Sequence, residues 1–87
     1  MYRIDRITDK SKDREERQDG RYPLRKNCIV DIYYLKIGDV MVLDYKKDAE
    51  GKDKTGYLRT SLVEDIAEYE DGYTVFTLNS VYYLKRI

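Results

Sequence analysis

Tyrosine, arginine and lysine interleave along this chain at Tyr22, Arg25 and Lys26, at Tyr33, at Tyr57 and Arg59, and at Tyr82 and Lys85. Rings set beside cations support two kinds of contact chemistry. A rigid aromatic surface with basic neighbours can anchor a protein partner through packed area and charge-assisted hydrogen bonds. The same groups can stack single-stranded bases on tyrosine rings while the cations meet phosphates. With ten tyrosines against one phenylalanine and no tryptophan, these rings dominate the aromatic content. They cannot all turn inward, because each buried hydroxyl needs a hydrogen-bond partner. Lys plus Arg and Asp plus Glu both number 17, so the formal net charge is zero and strong non-specific attraction to a polyanion is not expected. A protein partner is therefore the first expectation, and single-stranded nucleic acid the alternative.

Other chemistries find little support in the residue types. Histidine is absent, which removes Ser-His-Asp and Cys-His nucleophile systems and the usual zinc sites. Cys28 is the only cysteine, so no intramolecular disulfide can form, and its setting between Asn27 and Ile29-Val30 reads as a small buried hydrophobe. Glu64 and Glu68 stand four apart but on a charged stretch, where they read as surface groups. Asp48, Glu50 and Asp53 lack calcium-loop spacing: counting from Asp48, Lys52 and Arg59 fall at the fifth and twelfth positions, and Gly51 at the fourth. The glycines, at 20, 38, 51, 56 and 72, are too scattered for a phosphate-cradling loop. We expect no enzyme activity, no cofactor and no metal.

The elements that must position the tyrosines read as strands. Residues 1–7 alternate Tyr2, Ile4 and Ile7 with charged neighbours. Residues 28–35 are rich in strand formers, and Ile37-Gly38-Asp39 supplies a turn into a strand over 40–43. Residues 46–56 form a polar hairpin tip, followed by a strand over 57–60. Residues 61–69 are ambiguous. Ser61 with Glu64 fits a helical capping box, and Val63, Ile66 and Ala67 fit a helical stripe. Nine residues are marginal for a helix, however, and Tyr69-Glu70-Asp71-Gly72-Tyr73 resembles a hairpin turn closed by a glycine bulge, so the strand is favoured. Strands over 73–78 and 81–87, separated by Asn79-Ser80, end the chain. Neighbours on a strand face opposite sides, so one member each of Tyr33-Tyr34 and Tyr82-Tyr83 should point outward. Residues 8–21 mix acids and bases without an aliphatic side chain and read as a charged, mobile loop, with a helical turn at Asp13-Arg14-Glu15-Glu16-Arg17.

These expectations sum to one mainly β domain over residues 1–87, a small SH3-like or related β-barrel of five to seven short strands with a charged N-terminal loop. Self-association through an open strand edge at 81–87 is a further expectation, giving a homodimer. No stretch has the length of a membrane span and no apolar leader opens the chain, so a cytoplasmic protein is expected.

Arg59-Thr60-Ser61 followed by Val63, then Thr77, Asn79-Ser80, Tyr82 and Leu84, resembles a pattern in small uncharacterised proteins of Gram-positive bacteria, their phages and mobile elements. Leu35-Lys36-Ile37-Gly38-Asp39 resembles the turn that begins a strand in many SH3-like small barrels. The resemblance implies no activity and carries no site residues. A mobile-element origin would imply a stand-alone binding protein that blocks or recruits a host factor. Read physically, Thr60, Ser61, Thr77, Asn79 and Ser80 are short polar groups suited to fastening backbone at strand ends.

Overall fold

The computed structural model of the chain describes residues 1–11 and 13–87. Six antiparallel strands follow one another around a closed barrel: β1 (Tyr2–Thr8), β2 (Ile29–Tyr34), β3 (Val40–Lys47), β4 (Tyr57–Tyr69), β5 (Gly72–Thr77) and β6 (Val81–Arg86). One helical turn, α1 (Tyr22–Arg25), precedes β2, with Pro23 in its first turn where a missing N–H costs nothing. Every strand pairs with its sequence neighbour, and β1 returns to pair with β6. The expected small barrel is thus present.

Its interior is filled by alternate strand residues, among them Ile4, Ile7, Val30, Met41, Leu43, Leu58, Val63, Val75, Tyr82 and Leu84. Full burial of each such aliphatic or aromatic side chain contributes roughly 1.5–3 kcal/mol. Ile4 and Ile7 are three apart, a spacing that would place them on opposite faces of a regular strand. A register shift between Ile4 and Arg6 against β6 brings both inside, opposite Leu84 and Tyr82. Cys28 is likewise buried in this core, and burial raises its thiol pKa.

The ambiguous segment 61–69 is strand. It is the second half of β4, which runs 13 residues and serves two ladders in turn. Tyr57 to Leu62 pair with β3, and Val63 to Tyr69 pair with β5. The segment carries its own helical pattern, but the ladder with β5 along Val63 to Tyr69 decides the conformation. The sharp turn after it brings Tyr69 opposite Gly72.

The short polar residues act as fasteners. Thr60 Oγ1 accepts the Met41 N–H at 3.1 Å, and Ser61 Oγ accepts the Asn79 N–H at 3.1 Å. Thr77 Oγ1 donates to the Ser80 carbonyl at 2.9 Å and accepts the Ser80 N–H at 3.1 Å, closing the β5–β6 turn.

Two sequence expectations are corrected here. Residues 13–17 do not form a helical turn; Arg14 adopts a positive φ of 50°, and the chain runs back beside β1. The Asp9 N–H donates to the Glu15 carbonyl and the Arg17 N–H to the Ile7 carbonyl, both at 2.9 Å, around a Thr8–Glu16 bridge. Arg17 then donates to the Asn79 carbonyl at 2.7 Å, joining this segment to the β5–β6 turn. Residues 81–87 are no free edge either, because β6 is paired with β5 on one side and β1 on the other.

Candidate functional site

Tyr33, Tyr57 and Arg59 share the outer face of the β2–β3–β4 sheet. Asp31 pairs with Asp44, and Asp44 with Tyr57, so this row runs across three strands, and Tyr33 and Arg59 lie two residues along their own strands. The Tyr33 and Tyr57 rings meet in a steep edge-to-face contact, centroids 5.5 Å apart and planes at 64°. Both remain open to solvent, at 70% and 52% exposure. Tyr34 is exposed as well, against the rule that one of two neighbours turns inward. A register shift between Ile32 and Tyr34 breaks the alternation at this strand end.

Beside Tyr57 a cleft of about 230 Å³ opens between α1 and the start of β4, bordered by Arg21, Arg25, Lys54, Arg59, Tyr45 and Leu24. Local structure explains the convergence. The four-residue helical turn spaces Arg21, Leu24 and Arg25 at i, i+3 and i+4, which share one side. The β3–β4 connection folds back on itself: the Tyr45 N–H donates to the Gly56 carbonyl at 2.9 Å and the Lys54 N–H to the Lys46 carbonyl at 3.0 Å. That fold lays the Lys54 ammonium 4.5 Å from the Tyr45 ring centre.

The cleft is cationic without a carboxylate in its lining. Arg3, Lys10, Arg17, Lys26, Lys46, Lys47 and Lys52 each form an ion pair with an acid. Among the described residues, Arg21, Arg25, Lys54 and Arg59 form none, nor do Arg6, Arg14, Lys36, Lys85 and Arg86, which lie outside this lining. Burial raises the Tyr45 and Tyr82 hydroxyls, Tyr82 to about 12, and Arg25 pulls both back toward the ordinary range. Arg21 adds to that pull at Tyr45.

The remaining candidates lie elsewhere or play other parts. Tyr22 is half-buried between two guanidinium groups, 4.4 Å from Arg17 and 5.1 Å from Arg25. Lys26 is paired with Glu16 at 2.9 Å. Lys85 is exposed but lines a different cleft, with Asp5, Asp71 and Tyr73. Tyr82 is corrected outright: it is 1% exposed, faces the core, and accepts a hydrogen bond from Arg25 at 2.9 Å. Its neighbour Tyr83, under Arg6 at 4.6 Å, takes the outer position. Arg25, Tyr57 and Arg59 are thus brought together with Tyr33 alongside, and Arg21, Lys54, Tyr45 and Leu24 join them unforeseen. Arg21 is masked in sequence by a run of mixed charge and Lys54 by a hairpin tip, where either sign reads as solvated.

No family model, no curated protein and no solved structure matches this chain.

Proposed function

We propose that this chain is a non-catalytic protein-binding module whose contact surface joins the Tyr33–Tyr57 pair to the cationic cleft of Arg21, Arg25, Lys54 and Arg59. The single observation behind this reading is the gathering of four cations without acidic partners at one place in a chain of zero net charge. A segment bearing carboxylates complements it. Guanidinium groups grip such groups with paired hydrogen bonds, and the exposed rings add rigid apolar area at small entropic cost. Leu24, 69% exposed, extends the apolar part. The resemblance to mobile-element proteins supports a cytoplasmic host factor, blocked or recruited, as the partner class.

Single-stranded nucleic acid is the competing ligand, since rings and cations also suit bases and phosphates. Fluorescence anisotropy separates the two. A labelled glutamate-rich peptide and a labelled oligothymidylate are titrated at low and moderate salt. Peptide binding that survives moderate salt, with the oligonucleotide weaker, is the expected result. Tight oligonucleotide binding that falls steeply with salt overturns the proposal in favour of nucleic acid.

A further inference from the structure

The barrel closes unevenly. β1 and β2 share only two register pairs, Tyr2 with Val30 and Arg3 with Ile29, whereas β1 and β6 share six. Residues 31–34 of β2 continue past that short ladder with a strand neighbour on the β3 side alone. Backbone direction follows from the contacts next to the gap. The Ile4 N–H donates to the Cys28 carbonyl at 3.0 Å, and the Ile4 carbonyl accepts from the Asn27 N–H at 2.7 Å. Ile4, and with it Tyr2, therefore faces β2, and Val30 answers Tyr2. Two residues on, Ile32 aims its own N–H and carbonyl to the same side, beyond the last β1 pair.

A cleft of about 700 Å³ lies against this edge. Ile32, Tyr34 and Leu35 form one wall; Ile66 and Tyr73, from the β4–β5 hairpin, form the other. The Tyr2 and Tyr73 rings sit 5.8 Å apart within it. Among the described residues, Asp31 and Glu68 are the charged members of the lining. Asp31 has the Met1 amino group at 3.6 Å and Lys46 Nζ at 4.0 Å, all at the solvent border, and Glu68 accepts a hydrogen bond from the Tyr73 hydroxyl at 3.4 Å.

We propose that this cleft takes an extended polypeptide segment, which adds to β2 as a further strand and carries apolar side chains alternating with a basic one. The unanswered backbone of Ile32 supplies the strand register, the tyrosine and isoleucine walls take apolar side chains, and the two carboxylates take the cation. This inference rests on the protein-binding reading but on none of the cations of the basic cleft; Tyr33 alone borders both surfaces.

The test is an NMR titration of the full chain with a blocked hexapeptide of alternating valine and lysine. The expected result is shifts concentrated at Ile32 to Leu35 and at Tyr73, with slowed exchange of the Ile32 amide. Methylating the peptide nitrogens along one edge should weaken binding about tenfold or more. The doubly altered Arg21→Glu, Arg59→Glu chain should bind the hexapeptide as the native chain does, even if it no longer binds acidic peptide. Absence of shifts at millimolar peptide, equal binding of both N-methylated forms, or sedimentation showing a β2-mediated dimer each overturns the inference.

Discussion

Tyr82 and Tyr57 carry the same side chain to opposite ends of the range of burial, and the difference is a matter of register. In the Tyr82-Tyr83 pair the sequence requires one ring in and one out, but only the pairing of Tyr82 with Ile7 and Val75 decides which. Tyr82→Ala should therefore cost about 3–5 kcal/mol of stability through the cavity it leaves, and Tyr82→Phe about 1 kcal/mol through the lost Arg25 hydrogen bond. Chemical denaturation measures both. Tyr57→Ala and Arg59→Gln should shift stability by less than about 0.5 kcal/mol while weakening acidic-peptide binding, because neither side chain is held in the core. Tyrosine ionisation gives a pH signature. Burial holds the folded-state Tyr82 pKa near 12, above its unfolded value near 10, and also raises Tyr45. Between those values the unfolded chain sheds a proton that the folded chain keeps. Stability due to Tyr82 is thus fully present below pH about 10 and is lost as pH rises toward 12, at up to about 1.4 kcal/mol per pH unit. Melting followed across this alkaline range should fall, and Tyr82→Phe should blunt the fall; an unchanged alkaline slope in that variant would contradict the assignment.

β4 explains why the sequence hesitated where it did. Leu58 and Thr60 turn inward in regular alternation, but Val63 is the next buried residue, three positions on. Register shifts between Val40 and Val42 against β4, and between Val63 and Asp65 within it, reset the alternation. A strand bent by bulges shows apolar residues at spacings of three and four, the spacings of a helix, so 61–69 could be read either way. Other features were plain from local chemistry, including the 37–39 turn, the polar tip and the polar fasteners. The next turn depends on Gly72, whose φ of 152° and close approach to β6 leave no room for a side chain. An added Cβ would stand 1.9 Å from the Leu84 carbonyl oxygen, so backbone must move. Gly72→Ala should cost roughly 3 kcal/mol or more, whereas Gly51→Ala, with φ of 83° and open space around it, should cost only about 1 kcal/mol of backbone strain. Comparable losses in the two variants, measured by thermal melting, would contradict this packing of β5 against β6.

At the scale of the whole molecule, zero net charge conceals an uneven surface. The barrel class followed from strand signals at regular intervals, and closure hides most edges, β6 included. Charge segregation was not legible, because it depends on contacts far apart in sequence: Lys10 reaches Glu64, while α1 and the β3–β4 connection bring Arg21 and Lys54 together with no acid between them. Arg6, Arg14, Lys36, Lys85 and Arg86 also stand outside ion pairs among the described residues, but the cleft gathers four such cations with no carboxylate in its lining. The most direct test of that account is an NMR map of the native chain titrated with hexaglutamate, repeated with Arg21→Glu, Arg59→Glu. The account expects saturable shifts centred on Arg21, Arg25, Lys54, Tyr57 and Arg59, lost in the double variant with its melting temperature preserved. Shifts spread over the surface, or unchanged by the double substitution, would contradict it.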